Sequence, residues 1–572
     1  MYFMALATDY DGTIAHDGIV PDETFEALAR FKASGRRLIM VTGRELPDLK
    51  RVCPRLDLFD RVVAENGALL YRPETRESRP LGPPPPPGFV ERLEAKGVTP
   101  LSVGEVIVAT WEPNETIVLE AIRDLGLDLQ IIFNKGAVMV LPGGLNKASG
   151  LAAALEDLGL SAHNVIATGD AENDLAFMRS CGCAVAVANA LPVVKADADF
   201  VTEAVRGAGV AEALNLAITD EAKLLDASAQ HHALDVGADE AGEPFLLRPS
   251  IGHILIAGQS GSGKSTLANA LLERMIEGDF QFCIIDPEGD YGDLANAVVF
   301  GDARTPLRPE AVLSAMSKPS TNVVANLLGL DVADRPTAFG KLYGGLLAEH
   351  AETARPHWLL IDEAHHMLPQ HRDVNAVAIV PGAPQMIFIT VHPETLSTDV
   401  VQHLGTVLAI GPTASQVVGD VAKALGHAAP TMPDRNPERG QTLVWTCGSD
   451  APARLIDVKP ARRLQTRHTR KYAEGSLGED KSFYFRGPTG ALNLRAQNLM
   501  IFLQTADGVD EATFVHHLRQ QDYSSWLRVS VKDDELAKEV GQIEKQQDLK
   551  PDQARAELRA AIEARYSAPA HE

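Results

Sequence analysis

In TDYDGT, near the N-terminus, Asp9 and Asp11 are separated by one residue, so on an extended chain both carboxylates leave the backbone on the same side. That geometry suits one nucleophile and one general acid/base beside a shared metal. Taken alone, DxDGT fits a calcium-type loop or a plain turn equally well. A second stretch, HILIAGQSGSGKSTLANALL from His253 to Leu272, reads as an apolar strand, a glycine-rich loop and a helix. Its Gly258, Gly261, Ser262 and Gly263 let backbone N–H groups close around phosphate. Lys264 adds a point charge on the β/γ-phosphates, and Ser265, followed by Thr266, offers a hydroxyl to Mg²⁺. This is the Walker A pattern in the strand-to-helix context it requires, and it makes ATP and Mg²⁺ the expected cofactors.

Further apolar runs end in reactive residues. RLIMVTGR ends in Thr42, Gly43 and Arg44, where a hydroxyl and backbone N–H groups can hold a phosphoryl oxygen. AENGALLY places Glu65, Asn66 and Gly67 at another turn, Lys147 opens the helix KASGLAAALEDLGL, and NVIATGDAENDLAFM ends in Asp170, Asn173 and Asp174. An acidic cluster of that kind supplies the oxygen ligands Mg²⁺ prefers. Beyond the glycine-rich loop, QFCIIDPEGDY ends in Asp286, Glu288 and Asp290. HWLLIDEAHHML carries Asp362, a Mg²⁺-shell ligand, and Glu363, which would polarise the attacking water. QMIFITVHPETLS ends at Thr390 and His392, where a γ-phosphate sensor fits. His365 and His366 read as helix or interface residues rather than metal ligands.

The first ordered set, over nearly all of residues 1–217, resembles the haloacid dehalogenase superfamily, in its Cof-like, sugar-phosphatase and phosphoglycolate-phosphatase branch. The resemblance implies that Asp9 becomes an aspartyl-phosphate and that Asp11 protonates the leaving oxygen and then activates water. It implies Thr42 and Lys147 on the phosphoryl group, Mg²⁺ on Asp9, Asp170 and the Asp11 carbonyl, and Gly43, Asn66, Asn173 and Asp174 in support. The second set, about Ile251 to Val458, resembles the HerA/FtsK branch of the additional-strand P-loop ATPases. That resemblance implies a hexameric ring with Asp362 and Ser265 at Mg²⁺ and an arginine from a neighbouring subunit, with Arg304, Arg335, Arg435 and Arg439 as candidates.

These residues need scaffolds to hold them. At 572 residues the chain exceeds one core. The expected class is α/β: a Rossmann-like core (residues 1–80 and 143–217) with a small α/β cap (81–142), a RecA-like P-loop domain (218–460) and a mainly helical C-terminal module (461–572). The proline run in LGPPPPPGFVERLEAKGV is a stiff lead into the cap, whose strands fall near Val106–Trp111 and Ala137–Leu141 around a helix at Glu115–Leu125, with Trp111 as cap core. Cys181 and Cys183 read as small apolar residues entering a buried strand. Lys459–Lys471 reads as a solvated basic linker. Phe483, Tyr484, Phe485, Tyr523 and Trp526 read as a helical-module core, and Pro551 divides the tail into two helices.

A formal charge of −24 repels polyanions, so nucleic acid is not a favoured partner. The resemblance of residues 1–217 implies a small-molecule phosphomonoester as substrate. Five scattered cysteines lack zinc spacing, the N-terminus lacks a basic region, and no apolar run reaches membrane-span length. The expected location is cytoplasmic, with no membrane contact. Two rivals stand beside a phosphatase fused to a ring ATPase: a kinase/phosphatase of the polynucleotide end-repair type, and a nucleic-acid translocase with an accessory phosphatase.

Overall fold

The apolar runs that end in reactive residues become interior strands of two large sheets. The computed structural model describes residues 1–134, 136–248, 252–368, 378–380, 382–462, 477, 481–490, 492–531, 533–546 and 549–566. The first sheet has eight strands, in the order Phe200–Val201, Cys183–Ala186, Val165–Gly169, Ala5–Thr8, Arg37–Val41, Arg61–Ala64, Leu69–Arg72 and Glu77–Pro80. Pairing is parallel from the first of these through Arg61–Ala64 and antiparallel beyond it. Ala5–Thr8 is buried throughout, as expected for a central parallel strand covered by helices on both faces. Its C-terminal end delivers Asp9 and Asp11, and its neighbours deliver Thr42 and Asp170 to the same edge.

The second sheet has eleven strands, with His253–Gly258 between Leu404–Ile410 and Gln385–Thr390, followed by Trp358–Ile361, Phe282–Asp286, Asn322–Asn326 and Ala297–Phe300. All of these run parallel. Gln441–Thr446, Arg454–Val458, Leu234–Ala238 and Pro244–Leu247 complete it antiparallel. The strand of the glycine-rich loop and the strand of the acidic pair are separated by Gln385–Thr390, the additional-strand order. Alternation along His253–Gly258 sends Leu255 and Ala257 into one core and Ile254 and Ile256 into the other.

The insert over the first sheet is a four-stranded antiparallel sheet, in the order Ser102–Val103, Val108–Trp111, Ala137–Pro142 and Leu129–Asn134, with helices Pro87–Ala95 and Glu115–Asp124. Trp111 departs from expectation: it is 52% exposed at the end of its strand and belongs to no cap core. The insert is seated by Ala68, Val106, Ile107, Met139 and Leu141, and by Glu65, whose carboxylate accepts N–H bonds from Glu105, Val106 and Ile107 at 2.8–3.0 Å. Cys181 and Cys183 are buried in the first core.

The two sheets meet at the N-terminal ends of their strands. His163 stacks on Phe280 with centroids 4.0 Å apart and donates from Nε2 to the Gly278 carbonyl at 2.6 Å. His357 accepts the Gln281 N–H on Nδ1 at 2.9 Å, which leaves Nε2–H to donate to Asn164 Oδ1 at 3.1 Å. Fully buried Arg355 donates to the Gly159 carbonyl at 2.7 Å and to Gln281 Oε1 at 2.7 Å. The edges that carry the reactive turns therefore lie at the far ends of both sets of strands from this junction.

The C-terminal module packs Phe483, Phe485, Tyr523 and Trp526 with helices Leu499–Gly508, Glu511–Gln520, Asp534–Glu544 and Pro551–Tyr566, while Tyr484 is only half-buried. Pro551 stands at the start of the last helix. Most of the basic run Lys459–Lys471 lies outside the described residues; within them Lys459 pairs with Asp235 at 2.8 Å and Arg462 with Glu277 at 3.1 Å. No described helix is long and apolar enough to cross a membrane.

Candidate functional site

At the first site, helix Lys147–Leu158 is fixed at its N-terminus by Asn146, whose side chain accepts the Ala148 and Ser149 N–H groups at 2.9 and 3.0 Å while Ser149 Oγ accepts the Asn146 N–H. Such a cap is worth about 1 kcal/mol and holds the first helical residue, Lys147, in one place. The helix start also presses on Gly67, where an added Cβ would lie 1.9 Å from the Asn146 carbonyl oxygen and φ is +106°. Only glycine satisfies both conditions.

The buried Lys147 ammonium lies 2.6 Å from Asp9 Oδ1 and 2.6 Å from Asp174 Oδ1. Burial opposes its charge, but Asp174 and Asp9 outweigh burial and hold it protonated. Burial, then the charge of Asp174, push Asp9 up to about 7 against the pull of Lys147. Thr13 Oγ1 lies 3.4 Å from both Asp9 Oδ2 and Asp170 Oδ1. Asp9, Asp170 and Asp174 offer carboxylate oxygens all within 4.8 Å of one another. Asp174 spends its oxygens on Lys147 and on the Asp170 and Ala171 N–H groups, so it braces the cluster. Asn173 donates to Asn66 Oδ1 at 3.3 Å and keeps a buried Oδ1 without a hydrogen-bond partner. A compact set of hard oxygens around a buried lysine fits Mg²⁺.

Thr42 is buried, with its hydroxyl accepting the Arg44 N–H at 3.1 Å, and Asn66 is held in the left-handed region by a bond from its N–H to the Thr42 carbonyl. Gly43 faces Met139 of the insert. The Asp11 side chain stands apart from the acidic cluster, taken by Arg44 through both oxygens at 2.6 and 2.8 Å. In the sequence Arg44 stood out only for a backbone N–H, and nothing in the TGR triplet marks its pairing with Asp11.

At the second site the loop from Gly258 to Ser265 turns through Gly261 and Gly263 at positive φ, and Gly258 packs against the Ile410 carbonyl, where a Cβ would lie 2.4 Å away. Lys264 Nζ donates to the Gly258 and Gln259 carbonyls at 2.9 and 3.0 Å. Ser262 Oγ is buried without a hydrogen-bond partner, Ser265 is half-buried and Thr266 is exposed in the first turn of helix Lys264–Glu277. Burial and the charges of Glu363, Asp286 and Asp290 raise Asp362 to about 8. Glu363 sits at φ +43° and lies 3.4 Å from His365, whose Nδ1 is also 3.0 Å from Thr390 Oγ1. His392 pairs with Glu394 at 3.0 Å. His365 therefore links Glu363 of the acidic pair to Thr390.

Lys481 was not singled out from the sequence. Its carbonyl accepts the Trp526 indole N–H at 2.9 Å and its ammonium reaches Glu288 at 3.4 Å, joining the C-terminal module to the catalytic edge. Among the arginine candidates, Arg435 is bound to Glu240 and Gln441 of its own chain at 2.8 Å, Arg335 donates to the Leu330 carbonyl, and Arg304 and Arg439 are exposed.

Residues 6–81 and 111–214 match the haloacid dehalogenase-like hydrolase family, and residues 251–352 match the central domain of helicase HerA. The phosphoglycolate phosphatase of Methanothermobacter thermautotrophicus is 36% identical over 224 residues, 37% of this chain and 96% of that protein. That of Natronomonas pharaonis is 32% identical over 223 residues, with coverage of 37% and 96%. The 5-amino-6-(5-phospho-D-ribitylamino)uracil phosphatase of Bacillus subtilis is 27% identical over 232 residues, with coverage of 36% and 93%. A solved haloacid dehalogenase-like hydrolase from Bacteroides thetaiotaomicron is 22% identical, with a TM-score of 0.33 and coverage of 37% of this chain and 98% of that one.

Proposed function

Through its N-terminal part the chain belongs to the haloacid dehalogenase-like hydrolases, and from that premise we propose that it is a Mg²⁺-dependent phosphomonoester hydrolase fused to an ATP-hydrolysing ring motor. The observation that carries the first half is the buried Asp9 carboxylate between Lys147 and the Asp170 and Asp174 carboxylates. Asp9 attacks phosphorus as the ester P–O bond breaks, and Asp11 gives its proton to the leaving oxygen. Asp11 then takes a proton from water as the aspartyl-phosphate is hydrolysed. Thr42 donates a hydroxyl hydrogen bond to the phosphoryl group, and Lys147 balances its charge. Asp9, Asp170 and the Asp11 carbonyl would hold Mg²⁺, which when bound neutralises phosphoryl charge. The insert over the site limits which leaving groups enter.

For the second half, Gly258 to Thr266 would cradle ATP, Ser265 and Asp362 would hold Mg²⁺, Glu363 would orient the attacking water, and Thr390 with His392 would sense the γ-phosphate. A homohexamer in the cytoplasm is the proposed assembly, divided at residues 80, 142, 217 and 460. The HerA match favours a second reading of this half as a nucleic-acid translocase. A phosphate-release screen over small phosphomonoesters and ATP, with and without Mg²⁺ and DNA, tests these readings. Ester hydrolysis lost in Asp9→Asn supports the phosphatase. ATP hydrolysis stimulated by DNA at moderate salt supports the translocase, and labelled γ-phosphate appearing on an acceptor would favour a kinase instead.

A further inference from the structure

Arg44 closes a planar fork on Asp11, Nε to Oδ2 at 2.6 Å and Nη2 to Oδ1 at 2.8 Å, while Nη1 donates to Asp48 Oδ2 at 2.5 Å. Its carbon lies 5.5 Å from the centre of the Tyr10 ring. A bidentate pair of this kind fixes the orientation of both partners. The fork ties both Asp11 oxygens to the guanidinium, so Asp11 must loosen this pair to reach an ester oxygen as a proton donor. The pair also stands at the mouth of the site, Asp11 being 44% and Arg44 25% exposed. The insert closes over the same rim: Met139 lies over Gly43, and Ser102 bonds Glu45.

We propose that Arg44 is a specificity-determining residue that receives an anionic group on the substrate's leaving group and, by taking that anion in exchange for Asp11, releases Asp11 to the ester oxygen. The inference rests on the phosphatase reading above. The exchange replaces one charge-assisted pair by another, so it costs little when the leaving group carries a carboxylate. A neutral leaving group must open the Arg44–Asp11 pair without replacing it, and a cationic one also repels the guanidinium. The substrate class is thus a small phosphomonoester with a second anionic group close to the ester oxygen.

A charge series tests this: 2-phosphoglycolate, 2-hydroxyethyl phosphate and 2-aminoethyl phosphate share a two-carbon leaving group and differ in its terminal charge. With Mg²⁺ and the full chain, kcat/KM should fall in that order, by about a hundredfold between the first two. Because Asp11 release is at stake, kcat should fall along with any rise in KM. In Arg44→Gln the ratio should collapse to within about threefold, through loss on the anionic ester and gain on the neutral one. Arg44→Lys, which keeps the charge without the fork, should fall between, and it decides the matter if Arg44→Gln does not fold. Equal wild-type rates on the first two esters, or a ratio unchanged in the variants, overturns the inference while leaving the phosphatase standing. No turnover of any phosphomonoester by wild type overturns both.

Discussion

The two proposed catalytic edges solve the same problem, gathering carboxylates where phosphate would bind, in opposite ways. At the first edge the compensating cation is a resident of the fold: Lys147, buried and capped in place, touches Asp9 and Asp174 at 2.6 Å. At the second, Lys264 lies on its own loop's carbonyls, and Asp362 is pushed up to about 8 by burial and by Glu363, Asp286 and Asp290. The first edge is organised before any ligand arrives. Both edges raise a carboxylate by burial and by neighbouring carboxylates, Asp9 to about 7 and Asp362 to about 8, but the first holds its raised carboxylate against a lysine ammonium at 2.6 Å while the second gathers Glu363, Asp286 and Asp290 around its own.

The sharpest way to break the comparison is to remove one chemistry and watch the other. Asp9→Asn should lower phosphomonoester turnover by at least about a thousandfold and leave ATP hydrolysis intact. Lys264→Ala should abolish ATP hydrolysis while phosphatase turnover remains measurable. Phosphate release from each substrate by both variants reads this directly, and loss of both activities in a folded single mutant would end the claim of separate sites.

The resident cation should matter for stability in a way the loop lysine does not. Lys147→Met leaves Asp9 and Asp174 buried without their partner and should cost about 3–5 kcal/mol, whereas Lys264→Met should cost much less. Metal-free chemical denaturation compares them, and equal losses would contradict the distinction.

The junction gives a smaller, pH-dependent effect. Burial drives the His357 imidazole well below its usual range, aided by His163 and Arg355. The unfolded chain takes up that proton below about pH 6.5 and the folded chain does not, so stability contributed by neutral His357 is full above pH 6.5 and lost as pH falls. Relative to His357→Gln, which cannot titrate, wild type should lose about 1.4 kcal/mol per pH unit between pH 6 and 5. Parallel pH profiles in urea denaturation would show that His357 is not the group concerned.

Smallest of all should be Lys481→Ala. Its 3.4 Å contact with Glu288 is partly exposed, 43% on the lysine side, so the stability change should stay below about 1 kcal/mol. A larger loss by thermal unfolding would mean that the C-terminal module depends on the catalytic edge for its fold.

Much of the architecture was legible because buried parallel strands are written as short apolar runs, and each run here ends in a turn with reactive side chains. Asp9, Thr42 and Asp170 converge for that reason: strand ends at one edge of a sheet are neighbours whatever their separation in sequence, and Lys147 joins them from the capped start of a helix. The cap was read less completely. Its strands Val108–Trp111 and Ala137–Pro142 stood out, while Ser102–Val103 and Leu129–Asn134 did not, being short or half-buried on both faces. Trp111 was placed in the core on residue type alone, and residue type does not say which end of a strand is left uncovered.

By itself the sequence determined the two chemistries, since the motifs are local and their residue types fix what each turn can hold. Only the tertiary structure decided which charges meet. The Arg44 fork on Asp11, the Glu65 hold on the insert, the His365 link to Thr390 and the Lys481 contact with Glu288 join side chains from different elements, and no local pattern encodes those distances. The placement of the two sites at opposite ends was decided there as well, because Asn164, His163, Phe280 and His357 mark nothing in the sequence but pack together where both sets of strands begin.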